Sequence, residues 1–237
     1  MLELTKRIAV LVLMLLVTGC AGLRPPPAME YAQDAVDVSK LPGGEGWWYA
    51  RFTIHRPDNK PPRWHMGTLL AGEVIAPMFE RHYRDILVWR IHRRAGNDAS
   101  GHVFSFIFYA TAAGAKAIYS DIASNPVLSM LEQKGWVTQV KFDDLHKIIR
   151  PGIEDTSDTH WTPLVQKTWP AMIMGASRMW LDMVSVLAAD KTPGEDLETH
   201  YKAVHDEVTQ IWAEQGQHAL LHHLSAIYAY EPLMIKY

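Results

Sequence analysis

The stretch DILVWRIHRRAGNDASGHVFSFIFYA, residues 85–110, decides the fold. Its two flanks, 85–94 and 102–110, are rich in β-branched and aromatic residues. Between them Ala95 to Gly101 is made largely of Gly, Asn, Asp and Ser, residues suited to a hairpin loop. The stretch is therefore expected to form two antiparallel strands. Upstream, GTLLAGEVIAPMFERHYR (67–84) has helical spacing, with Pro77 expected to kink or divide the helix. A proline-rich loop (56–64) separates it from WWYARFTIH (47–55), which reads as a strand. Downstream, Ala112 to Gly135 is a second helical region, interrupted near Asn125-Pro126, and WVTQVKF (136–142) is a last strand.

Strand, helix, strand, strand, helix, strand is the split βαβ order of ferredoxin-like α+β domains. It implies a four-stranded antiparallel sheet with both helices on one face. Alternation of side chains assigns Trp48, Phe52, Ile54, Leu87, Trp89, Ile91, Phe104, Phe106 and Phe108 to that face. The opposite face receives Tyr49, Arg51, Thr53 and His55, then Arg90, His92 and Arg94, then Ser105 and Tyr109, then Gln139 and Lys141. One side is apolar, and the other is basic and aromatic.

The C-terminal third changes character. Thr162-Pro163 offers a helix cap and a first-turn proline, and 170–190 places Ile173, Trp180, Met183, Val184 and Leu187 at helical intervals. Lys191-Thr-Pro-Gly194 breaks the pattern. A second helix is expected from Leu197 towards Tyr230, with Tyr201, Val204, Val208, Ile211 and Trp212 on its apolar stripe and Gly216 at a bend. Two amphipathic helices need a partner surface, so they are expected as a helical hairpin packed on the open sheet face or on the domain edge. The expected organisation is thus 47–145 as the ferredoxin-like domain and 146–237 as a helical extension packed on it.

The N-terminus is of another kind. Lys6 and Arg7 precede an unbroken apolar run, Ile8 to Val17. A bilayer span needs about 20 residues, so the run suits the h-region of a secretory signal instead. Val17-Thr18-Gly19-Cys20 resembles the lipobox of bacterial lipoproteins. The resemblance covers only residues 1–20. It implies that 1–19 is a signal peptide, that Cys20 is acylated and becomes the new N-terminus, and that the membrane is reached through this lipid. Ala21, in place of an aspartate after the cysteine, implies the outer membrane, with the body facing the periplasm. Residues 20–46, with Pro25-Pro26-Pro27 and a Pro-Gly-Gly-containing end, read as the lipidated N-terminus and a tether. Cys20 is the only cysteine, so lipidation leaves none for disulfides or thiolate chemistry.

Loss of 1–19 removes two basic residues, Lys6 and Arg7, and one acidic residue, Glu3, so the formal charge of -3 becomes -4. This mild acidity argues against a nucleic-acid partner. Chemical constellations are sparse. Glu214, His218 and His222 are four apart and form a candidate metal set, although twelve histidines make such spacing common. The methionines at 172, 174, 179 and 183 read as core filler before they read as copper ligands. Asp98 near His102 is a possible acid–base pair, and there is no GxSxG elbow or glycine-rich phosphate loop. No cofactor is expected. The leading expectation is a non-catalytic lipoprotein that binds an envelope protein or supports an envelope assembly. A second is a binding module for an anionic small molecule or lipid, using Arg51, Arg90, His92 and Arg94. A third is an enzyme using a His/Asp constellation.

Overall fold

The strongest strand signals become the centre of the sheet. β1 (Glu45–Ile54) and β3 (Val103–Thr111) run antiparallel, with Trp48 opposite Phe108 and Phe52 opposite Phe104. β2 (Val88–Arg94) flanks β3, and β4 (Val137–Phe142) flanks β1, so the order is β2-β3-β1-β4 with every neighbour antiparallel. The computed structural model describes residues 44–57, 60–94, 101–190 and 196–233, and the chain is α+β. The expected signal peptide, Cys20, the expected tether up to residue 43, Asp98 and the expected break at 191–194 lie outside the described residues.

Between β1 and β2 lie α1 (Trp64–Leu70), a π-helical turn (Ala71–Ile75), α2 (Ala76–His82) and a 3-10 turn (Tyr83–Asp85). Pro77 is expected to kink or divide this helix, and the π-helical turn does divide it, leaving Pro77 in the first turn of α2. The wider turn before the proline absorbs its missing N–H. The carbonyl of Glu73, four residues before Pro77, accepts a hydrogen bond from Asn125 Nδ2 at 2.9 Å. The same amide caps the next element. α3 (Ala112–Ala123) and α4 (Pro126–Gln133) follow β3, and Asn125 Oδ1 accepts from the amides of Val127 and Leu128. A second proline is handled alike. Pro170 stands inside α5 (Pro163–Ala188), and the Gln166 carbonyl it orphans accepts from Ser157 Oγ at 2.7 Å.

These helices cover one face of the sheet. Trp48, Phe52, Phe104, Phe106, Phe108 and Trp89 are buried there with Met66, Leu70, Ile75, Ile118 and Leu131. Trp48 keeps its indole N–H satisfied by donating to the Ala110 carbonyl at 2.9 Å. Leu87 departs from the expected face. It precedes the β2 ladder, so strand alternation does not govern it, and it packs with Trp47, Ile107 and Tyr109 on the other side.

The C-terminal helices take the edge, not the open face. α5 lies along β2, where Ser177 Oγ accepts the Ile91 amide at 3.1 Å and occupies a donor that the edge strand would otherwise expose. α6 (Leu197–Gly216) packs on α1 and is followed by a π-helical turn (Gln217–His222) and α7 (His223–Ile227). Gly72 makes this docking possible: a Cβ there would meet Tyr201, whose Cε1 would be 2.7 Å away. The Tyr201 hydroxyl donates to Glu73 Oε1 at 3.0 Å. Tyr201, Val204 and Val208 form the buried stripe as expected, but Trp212 is 55% exposed and lies over Gly216.

These contacts set clear expectations for urea unfolding. Asn125→Asp keeps the cap but loses the donor to Glu73 and should cost about 1 kcal/mol, whereas Asn125→Ala loses both and should cost about 2 kcal/mol. Ser157→Ala should cost about 1 kcal/mol by leaving the Gln166 carbonyl unpaired. Gly72→Ala should cost about 1–3 kcal/mol, because Tyr201 must shift.

Candidate functional site

Arg51, Arg90, His92 and Arg94 do point to the second face of the sheet, as alternation requires. The chain itself uses Arg51 and Arg90. After β4, residues 143–161 cross this face: the Trp47 amide donates to the Arg150 carbonyl at 2.8 Å, and the Tyr109 hydroxyl donates to the Pro151 carbonyl at 2.6 Å. Arg51 and Arg150 both bind Asp143, at 2.9 and 2.6 Å, and their guanidinium groups lie 4.2 and 4.1 Å from the centre of the Tyr49 ring. Arg90 stacks 5.1 Å over Trp169 and reaches the Thr156 carbonyl. Burial lowers its pKa, against the pull of Tyr49. The basic face is thus largely a seat for the crossing segment.

The other sequence candidates separate. His218 and His222 stack 5.1 Å apart, while Glu214 accepts from Gln210. Among the described residues no group of three His, Cys, Asp or Glu is placed to hold a metal. Of the α5 methionines, Met172 and Met179 are exposed and so are not core filler, while Met174 and Met183 are half-buried.

Two features were not singled out by sequence reasoning. The first is the outer surface of α5. Its inward side buries Pro170, Ser177, Leu181 and Val184. Its outward side shows Val165, Met172, Met179 and Val186, exposed by 43%, 52%, 36% and 59% and spaced at seven residues. Between the Met179 and Val186 end of this stripe and Ile211 of α6 runs an open groove of about 600 Å³, lined by Gly175, Met183 and Leu187 and by the ion-paired Arg178 and Asp182. A separate depression on α6, which shares Ile211 with the groove, is lined by Asp206, Glu207 and Glu214.

The second is Arg93. Cross-strand pairing puts it opposite Phe104, on the side of Trp89 and Ile91, where an apolar residue belongs. Its guanidinium donates to the Trp64 carbonyl at 2.5 Å, lies 5.3 Å from the Trp64 ring and 4.9 Å from the Trp180 ring, and fits against the bare Cα of Gly67. No carboxylate among the described residues pairs with it, and its Nε is buried without a partner. Desolvation lowers its pKa to about 10. Two imidazoles stand nearby. His102, at the start of the β3 segment, is buried, edge-on to Trp64, and its Nδ1 has no partner. His205 of α6 faces Thr68 at 3.5 Å. Burial first, and Arg93 second, lower the pKa of each to about 4. Arg56, Arg63 and His65 add to the effect at His102; at His205, Lys202 and His65 lower the value while Asp206 raises it. The carboxylates of this corner are committed elsewhere: Glu198 to Arg63 and His65, and Asp206 to Lys202.

The sequence signal for Arg93 was present. Alternation through Trp89 and Ile91 places a charge at an apolar position, and that mismatch marks the site.

The imidazoles also set a pH window. The unfolded chain takes up their protons near 6.5 and the folded chain near 4, so the unfolded state binds more protons in between. Stability should therefore fall as pH drops from about 6.5 to 4. His102→Gln and His205→Gln should each flatten that slope in urea midpoints read across it. Both features rest on their geometry alone, since no protein-family model, curated protein or solved structure matches this chain.

Proposed function

We propose that the chain is a lipoprotein of the outer membrane, anchored through Cys20 and facing the periplasm, that acts as a non-catalytic binding module in the envelope. Its core is then a ferredoxin-like βαββαβ unit, a reading supported by the order β2-β3-β1-β4 with helices after β1 and β3. The observation that carries the function is the uncovered face of α5. An 18-residue window of this helix has a mean hydropathy of 1.3 and is only 17% buried.

The seven-residue spacing of Val165, Met172, Met179 and Val186 is the geometry of a helix-pairing seam. The occupant is an amphipathic helix of another envelope protein, with an apolar stripe for the groove and lysine or arginine along the side facing α6. The acidic side of α6 at Glu207 and Glu214, beyond Ile211, favours those basic flanks. It disfavours a second copy, which would bring two acidic sides together, and an anionic leaflet surface. The basic sheet face is the weaker alternative, because Asp143 and the crossing segment occupy Arg51 and Arg90.

A photocrosslinking residue at Met179 tests the docking in intact cells. We expect an adduct whose mapped peptide is a basic-flanked amphipathic helix, and Met172→Glu with Val186→Glu should reduce it at least tenfold. An adduct with a second copy or with lipid, no adduct, or one insensitive to the charge substitutions would refute the assignment. For the anchor, Cys20→Ala should yield a protein of unprocessed mass without acyl groups; normal processing would sink it.

A further inference from the structure

We propose that Arg93 anchors a binding site for a phosphate-class oxyanion, at the corner where the end of β2, the first turns of α1 and the middle of α6 meet. The argument begins from an imbalance. A largely buried guanidinium normally faces a carboxylate, because desolvating an unpaired charge is costly. Arg93 instead has one carbonyl and two indole faces. His102 and His205 feel its charge, Arg63 and His65 act on the same imidazole at 102, and the carboxylates of Glu198 and Asp206 already have partners. An oxyanion is the ligand that this corner lacks.

A second observation is independent of charge counting. His102 is 5% exposed, and its Nδ1 has no hydrogen-bond partner. Buried ring nitrogens are ordinarily satisfied, so an orphan beside an uncompensated cation marks unfinished polar structure. Thr68 and His205 stand 3.5 Å apart across α1 and α6, and His205 feels the charge of Arg93. An oxyanion on the guanidinium fork would offset its desolvation and draw protons onto His205 and His102. Both are held neutral by burial and by Arg93, so binding should be coupled to proton uptake. Phosphate fits better than a carboxylate because its first charge balances Arg93 and its second is met by a proton drawn onto an imidazole.

The test is calorimetric titration of the full, lipidated protein in neutral detergent with inorganic sulfate, a tetrahedral dianion whose own charge is the same at both pH values, at constant ionic strength, at pH 7.5 and 5.5. We expect one saturable site, bound more tightly at pH 5.5 with measurable proton uptake. Arg93→Lys keeps the charge but loses the fork and should weaken binding at least tenfold; Arg93→Met should abolish it. His205→Gln should bind sulfate with reduced pH dependence. Should Arg93→Met fail to fold, Arg93→Lys and His205→Gln decide the matter. At pH 7.5 phosphatidic acid in the same detergent separates two sources: tighter Arg93-dependent binding than inorganic phosphate assigns the group to a lipid headgroup, and equal or weaker binding to a soluble phosphate ester. Absence of saturable sulfate binding by the folded wild type, or binding that follows Arg51→Met and ignores Arg93→Lys, overturns the proposal.

Discussion

The fold depends on one strand that must be dry on both sides. From Val103 to Ala110 every residue of β3 is buried. Phe104, Phe106 and Phe108 require a helical layer, while Ile107 and Tyr109 require cover on the opposite face. A four-stranded sheet supplies only the frame. Helices α1 to α4 meet the first demand, and the segment crossing from β4 to α5 meets the second, fastened by Trp47, Tyr109 and the guanidinium pair around Asp143. Both faces being occupied, α5 and α6 are left with the β2 edge and the outer side of α1.

The same economy governs the backbone. Two prolines sit within helical stretches, and the carbonyl four residues before each finds a donor on a different element: Asn125 for Glu73 and Ser157 for Gln166. These donors link parts of the chain that sequence reading treats separately. Asn125 ties the first helical layer to the cap of α4, and Ser157 ties the crossing segment to α5. Each proline thereby becomes a point of attachment, since its orphaned acceptor fixes a neighbour at a defined distance.

Much of this was legible. The six central elements follow from periodicity and turn residues, because hairpin loops, capping residues and alternation act over a few positions. What was not legible depended on long-range packing. Pro77 is carried by a π-helical turn stabilised from residue 125, far along the chain. Ile107 was in view as part of a near-continuous apolar run, the mark of a strand buried on both faces, yet alternation alone gave it no role. The basic face was drawn correctly as a set of positions, but its occupation by Asp143 and Thr156 depends on a loop with no regular pattern. Arg93 is the reverse case: its local position was determinable, and its significance came from the absence of a carboxylate around it.

The two margins of the sheet are finished differently. Along β2, a serine from α5 occupies a main-chain amide, whereas β4 is a six-residue terminal strand whose pairing with β1 shifts register at Thr53/Ile54. A sheet closed at one margin cannot propagate head to tail, because each added molecule would need two free sides. Strand addition at β4 therefore ends at a closed pair and does not build a fibre.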